Sequence, residues 1–279
     1  MCHQHRYRIG IIMNTVIGRF DLALLVMVLL ISVTWTSSSV ASERFSHDDW
    51  TAVLQRFVDD KGFVDYQSLA SDRTVFDRYL ASVEQMSPVS DPQLFPTKAD
   101  ALAYYINAYN AHVFNGVLER GPEQKSIWRG LISGFNFFVR MDIIVGGEET
   151  NLKKLEDRTI REDFKDPRIH AAINCASISC PRLPRIAFEA DTLNDVLDGA
   201  MREFVTAPTN VATDAGKSMV MLSEIFDWFE SDFLEHEERN GNAGGSVIDY
   251  INRYRAADAQ IPDNYKVKYL RYDKGINKQ

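Results

Sequence analysis

The segment from residue 166 to residue 181 concentrates side chains that can carry out chemistry. It holds a histidine, an amide, two thiols and two hydroxyls: His170, Asn174, Cys175, Ser177, Ser179 and Cys180. A thiol becomes a reactive thiolate beside a base, and an imidazole needs an acceptor to fix its tautomer. These residue types therefore suit a thiol nucleophile, with Cys175 attacking and His170 acting as its base.

The spacing of these residues indicates which of them face the same side. On a strand, and equally on a helix, His170 and Asn174 share a face, with Cys175 at the corner. Either Asn174 or the late carboxylate Asp273 is the candidate that orients the imidazole. Cys180 is less suited to the nucleophilic role because the following proline restricts its backbone.

The same residues also allow purely structural interpretations. Cys175 and Cys180 are five residues apart and can close a small disulfide loop, or remain buried inert thiols. His170 can be a hydrogen-bonded core histidine, and Asn174, Ser177 and Ser179 can satisfy the backbone of a turn. No metal or other cofactor is expected, because the chain has no Cys-x-x-Cys motif and the four histidines after residue 41, His47, His112, His170 and His236, include no pair at ligand spacing.

A second set of polar groups lies on the strongest predicted helix, over residues 99–120. Asn107 and Asn110 are one turn apart and flank Tyr109. Buried amides cost free energy unless they are hydrogen-bonded, so this pair indicates a purpose. The amides would either fix a neighbouring segment or line a binding site with Tyr109, Ser177, Ser179 and Cys180.

The first residues have the features of a secretory signal. Arginines precede an apolar run over residues 22–33, and Ser39-Val40-Ala41 is a small-residue cleavage pattern. We expect residues 1–41 to be a signal peptide, or an uncleaved anchor, with Met1 or Met13 as the start. The sequence thus predicts a periplasmic or secreted protein that touches membrane only through an uncleaved signal.

The length and composition of the remaining segment, residues 42–279, predict a single acidic domain. The whole chain has a formal charge of −8, and loss of three basic and one acidic residue with 1–41 makes it −10. This balance argues against nucleic acid as a partner. The expected partner is therefore an unidentified small molecule, peptide or envelope component.

The hydrophobic pattern predicts an α+β fold, with several helices on a small, mostly antiparallel sheet. Further helices are expected near residue 46 and over 74–86, 151–164, 192–205, 223–233 and 246–257. Strands are expected over 136–145, 168–174 and 265–272, with a hairpin of 209–213 and 218–222.

Four blocks together resemble the bacterial and plant family called domain of unknown function 547. They are Gly62-Phe-Val-Asp-Tyr66, Ala103-Tyr-Tyr-Ile-Asn-Ala-Tyr-Asn-Ala111, Asp166-Pro-Arg-Ile-His170 through Cys180-Pro181, and Leu222 through Phe233. The ending departs from the family pattern Tyr-Asp-Trp-x-Leu-Asn, since Lys274 replaces the tryptophan in Tyr272-Asp273-Lys274-Gly275-Ile276-Asn277.

The resemblance implies an exported or envelope protein of bacteria and brings no established activity. By fold-level analogy alone, a helix packed on a small sheet with Cys, His and Asp or Asn is similar to papain-like and transglutaminase-like enzymes. One hypothesis is a thiol-dependent hydrolase or acyl/amide transferase on peptide-like or envelope substrates. Its rival is a non-catalytic binding module whose Cys175–Cys180 disulfide shapes a recognition loop, and a redox role is a weaker third.

Overall fold

The computed structural model describes residues 44–128 and 133–279. The predicted signal segment, residues 1–41, lies outside these ranges, so its cleavage and the predicted export stay predictions. Within the described ranges, no helix is long and apolar enough to cross a membrane.

Helices form most of the regular structure. The α-helices are α1 (Asp48–Phe57), α2 (Tyr66–Ser71), α3 (Thr74–Gln85), α4 (Lys98–Glu119), α5 (Ser133–Phe138), α6 (Leu152–Lys154), α7 (Glu162–Phe164), α8 (Leu193–Thr206), α9 (Ile225–Trp228), α10 (Glu230–Arg239) and α11 (Val247–Asn252). A π-helix over Leu155–Arg161 joins α6 to α7, and a 3-10 helix over Pro167–Ala171 precedes the cysteines.

Two small sheets complete the fold. The strands are β1 (Asp142–Val145), β2 (Glu148–Asn151), β3 (Val211–Asp214), β4 (Met219–Leu222) and β5 (Lys266–Tyr269). β1 and β2 form an antiparallel hairpin, while β4 pairs antiparallel with β3 and parallel with β5. The predicted α+β class with mostly antiparallel strands is therefore confirmed.

Helix α4 runs through the larger part of the core. Thr97 caps it, because its hydroxyl accepts from the Asp100 amide while the Asp100 carboxylate accepts from the Thr97 amide. Its buried residues extend from Leu102 to Leu118 on all sides of the helix. A helix that is buried all round must be surrounded by other elements, so the polar groups within this buried stretch meet protein, whereas Lys98 and Glu119 at the ends are exposed.

The predicted strand over residues 168–174 is wrong. Pro167 opens a 3-10 helix there, and the Asp166 carboxylate accepts from the Arg168 amide to cap it. The next backbone groups do not join a sheet, since the Asn110 side chain takes both the Ala172 carbonyl and the Asn174 amide.

Other boundaries also differ from the prediction. The predicted strand over 136–145 begins only at Asp142, because Phe137 and Phe138 are buried as part of α5. The predicted helix from residue 223 is broken into α9 and α10 at Phe229, whose backbone leaves helical geometry at φ −119° and ψ 24°. This break matters because it lies beside the candidate site.

Candidate active site

A cavity of about 270 Å³ lies where α4, the π-helix, the 3-10 helix and α9 approach one another. Aromatic rings form much of its wall, among them Tyr109, Trp128, Phe138, Trp228, Phe229 and Tyr272. Between the rings stand groups that can carry chemistry, namely His170, Cys175, Cys180 and Glu156. A mainly apolar cavity with a few convergent polar groups is the usual form of a small-molecule site.

The two cysteines face each other across the turn that joins them. Their sulfurs are 2.7 Å apart, and both are free thiols in the structure, so the predicted disulfide is not formed here. The Tyr272 hydroxyl lies 3.2 Å from the sulfur of Cys175 and 3.1 Å from that of Cys180. The Tyr272 hydroxyl is therefore within hydrogen-bonding distance of both sulfurs. We call Cys175, Cys180 and Tyr272 together the thiol centre.

The pair can share one proton. Hydrogen bonds from the Cys180 thiol, the Tyr272 hydroxyl and Ser177 lower the pKa of Cys175 to about 7, against the opposing effect of burial. Burial and the neighbouring Cys175 charge raise the pKa of Cys180. Cys175 is therefore the sulfur that carries the negative charge near neutral pH, and the thiolate is the reactive form.

The turn that holds the thiols is fixed by amide side chains. The Asn174 carboxamide donates to the Pro181 carbonyl at 2.8 Å and accepts from the Ala176 amide at 2.8 Å. Ala176 has a positive φ of 58°, a conformation that L-residues seldom adopt. The backbone amide of Cys175 also donates to the Cys180 sulfur at 3.1 Å. Asn174 thus shapes the loop, since among the described residues its carboxamide bonds Pro181, Ala176 and Asn277 rather than the imidazole.

The carboxylate that meets the imidazole is Asp232, on α10. His170 Nε2 lies 2.8 Å from Asp232 Oδ2, and both carboxylate oxygens also accept from Arg161 at 2.8 Å. Although burial opposes it, hydrogen bonds from His170 and Arg161 and the positive charge of Arg161 hold the pKa of Asp232 well below its usual range. An ionised carboxylate can only accept, so the proton of the imidazole is on Nε2.

This arrangement leaves Nδ1 as the basic nitrogen. Burial lowers the pKa of His170 although Asp232 opposes the shift, so the ring is neutral at pH 7. Nδ1 is buried and has no hydrogen-bond partner among the described residues. Phe229 stacks on the ring at 4.0 Å between centroids and holds its plane. A neutral, oriented imidazole with a free lone pair is what a general base requires.

Glu156 adds a buried carboxyl to the same cavity. It lies on the π-helix, and its Oε2 accepts from the Tyr109 hydroxyl at 3.2 Å. Burial is the main reason that its pKa is raised to about 7, with Lys153 opposing the shift. π-helical turns are uncommon and occur often at functional sites.

Several residues singled out in the sequence lie in other places. The Asp273 carboxylate is exposed and accepts from the Gly275 amide at 2.9 Å, and the carboxylate that bonds the imidazole is that of Asp232. Ser179 accepts from the Asp273 amide at 2.8 Å and supports the same turn. Ser177 accepts from the Trp128 indole at 3.0 Å, which fixes one wall of the cavity.

The two asparagines of α4 hold backbone. Asn107 donates to the Phe188 carbonyl at 2.8 Å and accepts from the Phe188 amide at 3.0 Å. Asn110 makes the same pair of bonds, to the Ala172 carbonyl at 3.0 Å and the Asn174 amide at 2.8 Å. Asn110 therefore positions the turn that carries both cysteines, residues 172–181, which we call the thiol loop. Tyr109, between the two asparagines in sequence, lines the cavity.

The sequence contained signals for the residues that it did not single out. Asp232 follows Phe229 by three residues and precedes Phe233, which places an acid on the apolar face of a helix. Glu156 likewise shares a helix face with Leu152 and Ile160. A charged group on an apolar face has to find a partner inside the protein, and that rule identifies both.

Comparison with known proteins finds a family-model match over the part of the chain that holds most of the site. Residues 94–205 match the family model described as "Protein of unknown function, DUF547". The DUF547 match includes α4, the π-helix, the 3-10 helix and both cysteines, whereas Asp232 and Tyr272 follow it. No curated protein and no solved structure matches the chain significantly. Within the described ranges, no three histidine, cysteine or carboxylate side chains are grouped to hold a metal ion.

Proposed function

We propose that the cavity is the active site of a thiol-dependent hydrolase or acyl transferase, exported to act on peptide-like or envelope substrates. One observation carries the proposal. His170 is buried with Nε2 bonded to Asp232 and Nδ1 unpaired, and it lines the same cavity as a thiol whose pKa is about 7. A nucleophile, a base and an orienting carboxylate are the parts that acyl transfer needs.

In the proposed reaction, His170 Nδ1, which has no hydrogen-bond partner among the described residues, takes the proton of Cys175 through one bridging water, and the thiolate attacks the carbonyl carbon of an ester or amide. A carbon–sulfur bond forms, and the bond to the leaving oxygen or nitrogen breaks as the imidazolium returns its proton to that atom. Water or a second nucleophile then attacks the thioester, with His170 again accepting the proton, and Cys175 is released as the thiol.

A second candidate is a non-catalytic binding module, and the position of the sulfurs favours it. Because the Cys175 and Cys180 sulfurs are only 2.7 Å apart, oxidation can join them without unfolding the turn. The disulfide would close the loop and remove the nucleophile. The aromatic cavity would then serve recognition alone.

The thiol state separates the two candidates. The periplasmically expressed protein is denatured without reductant in iodoacetamide and weighed intact, and the enzyme proposal expects two alkyl groups. In the native protein, alkylation of Cys175 should reach half its maximal rate near pH 7, below the ordinary thiol value of about 8.5. No labelling before reduction would contradict the proposal and leave the binding module.

Variants test the base. His170→Gln should lower turnover of an activated acyl ester by at least ~100-fold, as expected for loss of a general base. His112→Gln is the matched control, because His112 is also buried but bonds the Ile144 carbonyl away from the cavity. Equal losses in both variants would assign His170 a structural role.

A further inference from the structure

The cavity contains one carboxyl that the proposed reaction does not use. Glu156 is buried in the wall, and among the described residues its carboxyl accepts a hydrogen bond only from the Tyr109 hydroxyl. A buried carboxyl is costly unless a donor or a cation meets it. Since Lys153, the nearby ammonium on the same wall, is already bonded to Asp157, the carboxyl of Glu156 is available to a ligand.

The aromatic walls add a second feature that selects ligands. The faces of aromatic rings attract cations, and rings around a carboxylate are a usual means of binding organic amines. Two rings of this wall already meet cations, since Lys274 Nζ lies 5.0 Å from the centre of Trp128 and the Arg161 guanidinium 4.9 Å from that of Phe229.

We infer that the cavity binds a primary or methylated amine carried on a compact apolar or aromatic body, with the nitrogen at Glu156. The volume of about 270 Å³ is ample for a single ring with a short chain, since a cavity of roughly 150 Å³ holds benzene. The inference deepens the proposed function, on which it rests, by making the substrate an acyl derivative that bears an amine. Amine recognition itself requires only Glu156 and the rings.

Ionisation of Glu156 should govern this binding. The groups that act on its carboxyl are Lys153 and Asp157 from the same helical segment, Tyr109 from α4 and Cys175 from the thiol loop. The carboxylate attracts the ammonium and the protonated acid does not. Because the pKa of Glu156 is about 7, affinity for an amine should fall about tenfold per pH unit below that value and level off above it.

The test is calorimetric titration of Cys175→Ala protein with 2-phenylethylamine, 2-phenylethanol and 3-phenylpropanoate, which share a ring and differ in charge. At pH 8 the amine should bind at least tenfold more tightly than the alcohol, and the carboxylate most weakly. Glu156→Gln should abolish that preference, whereas Glu149→Gln, on the exposed side of β2, should retain it. Equal affinity for amine and alcohol would overturn the inference.

Two further readouts keep the outcomes separate. If Glu156→Gln does not fold, the pH dependence of amine binding in otherwise unaltered Cys175→Ala protein decides. Loss of the Cys175 charge lowers the pKa of Glu156, so a profile that stays flat from pH 4 to 8 overturns the inference. Thiol alkylation tests the proposed function independently. If labelling is rapid and depends on His170 but binding shows no preference for the amine, only the amine inference is contradicted. If binding prefers the amine but the two sulfurs are bonded to each other, only the proposed enzymatic function is contradicted.

Discussion

At the scale of single residues, the site depends on polar groups whose ordinary chemistry is changed by burial. His170 is neutral because burial lowers its pKa. Asp232 is ionised because hydrogen bonds from Arg161 and the imidazole lower its pKa. The two shifts support each other, since a neutral imidazole donates from Nε2 only to an acceptor that lacks a proton. Each member of the array therefore fixes the state of the next.

Replacing the orienting carboxylate should separate catalysis from stability. In Asp232→Asn we expect turnover to fall by roughly 100-fold or more, because the imidazole loses its charged acceptor and its fixed tautomer. Unfolding free energy should fall by about 2 kcal/mol, since Arg161 loses a charged partner. Ester turnover and urea denaturation measure the two effects.

Asp157→Asn is the control for that variant, because Asp157 bonds Arg161 at 2.8 Å but has no bond to His170. It should lose stability and keep most of its turnover. If Asp157→Asn lost as much turnover as Asp232→Asn, the imidazole would not be the group through which Asp232 acts.

The buried carboxyl should make stability depend on pH. Since the pKa of Glu156 is raised to about 7 in the folded protein, its contribution is fully present below the unfolded value of about 4.5 and is lost as pH rises through 7. Glu156→Gln should thus gain stability relative to wild type as pH increases from 5 to 8, by about 3 kcal/mol at most. Urea midpoints across pH measure this, and a difference that stays constant with pH would contradict it.

At the scale of elements, helix α4 supports the thiol loop through hydrogen bonds from one of its side chains. Asn110 bonds the Ala172 carbonyl and the Asn174 amide, so a helix side chain takes the place that a neighbouring strand would fill. The sequence predicted α4 well because both its cap and its apolar spacing are local. It could not predict the loop, whose hydrogen bonds come from residues more than sixty positions away.

Asn110→Ala should therefore affect both fold and thiol. Two buried backbone groups would lose their partners, which should cost about 2 to 4 kcal/mol. Asn107→Ala leaves the Phe188 backbone unpaired and should cost a similar amount. Only Asn110→Ala should shift the pH midpoint of Cys175 alkylation, because only that asparagine bonds the loop. A shift in both variants would indicate a general loosening of α4.

Two predicted strands were wrong where the local composition favours a strand but packing against the rest of the protein favours a helix. Residues 136–138 have the aromatic content of a strand but form the end of α5, because Phe137 and Phe138 can reach the core from a helix. Pro167 similarly begins a 3-10 helix within a run that is apolar enough for a strand. Burial against distant elements, which local pattern does not encode, decided both cases.

At the scale of the whole molecule, the site is assembled from distant parts of the chain. Residues 272–279 cross the thiol loop: Asn277 donates to Asn174 at 3.3 Å and accepts from the Tyr66 hydroxyl at 3.1 Å. The Val64 amide donates to the Asn277 carbonyl at 2.9 Å, and the Gln279 amide to that of Val64 at 3.1 Å. This segment therefore ties α2 to the loop that carries both cysteines.

Removing residues 276–279 should destabilise the protein while Tyr272 remains present. Ile276 is buried, and the bonds of Asn277 and Gln279 would be lost, so we expect a loss of about 3 to 5 kcal/mol. Lys278→Ala is the control, since its ammonium bonds only the exposed Glu123 carbonyl. Urea denaturation compares the two, and a truncated protein as stable as the control would show that the segment does not hold the loop.

The position of Tyr272 also sets the order in which the thiol centre is completed during translation. Cys175 and Cys180 are synthesised about ninety residues before the phenol that lies between them and the solvent-facing Trp228, whose ring is 4.7 Å from that of Tyr272. The nascent chain therefore presents its thiols to cellular oxidants without that hydroxyl. The sulfur whose pKa the finished protein lowers to about 7 is, on the ribosome, an ordinary cysteine.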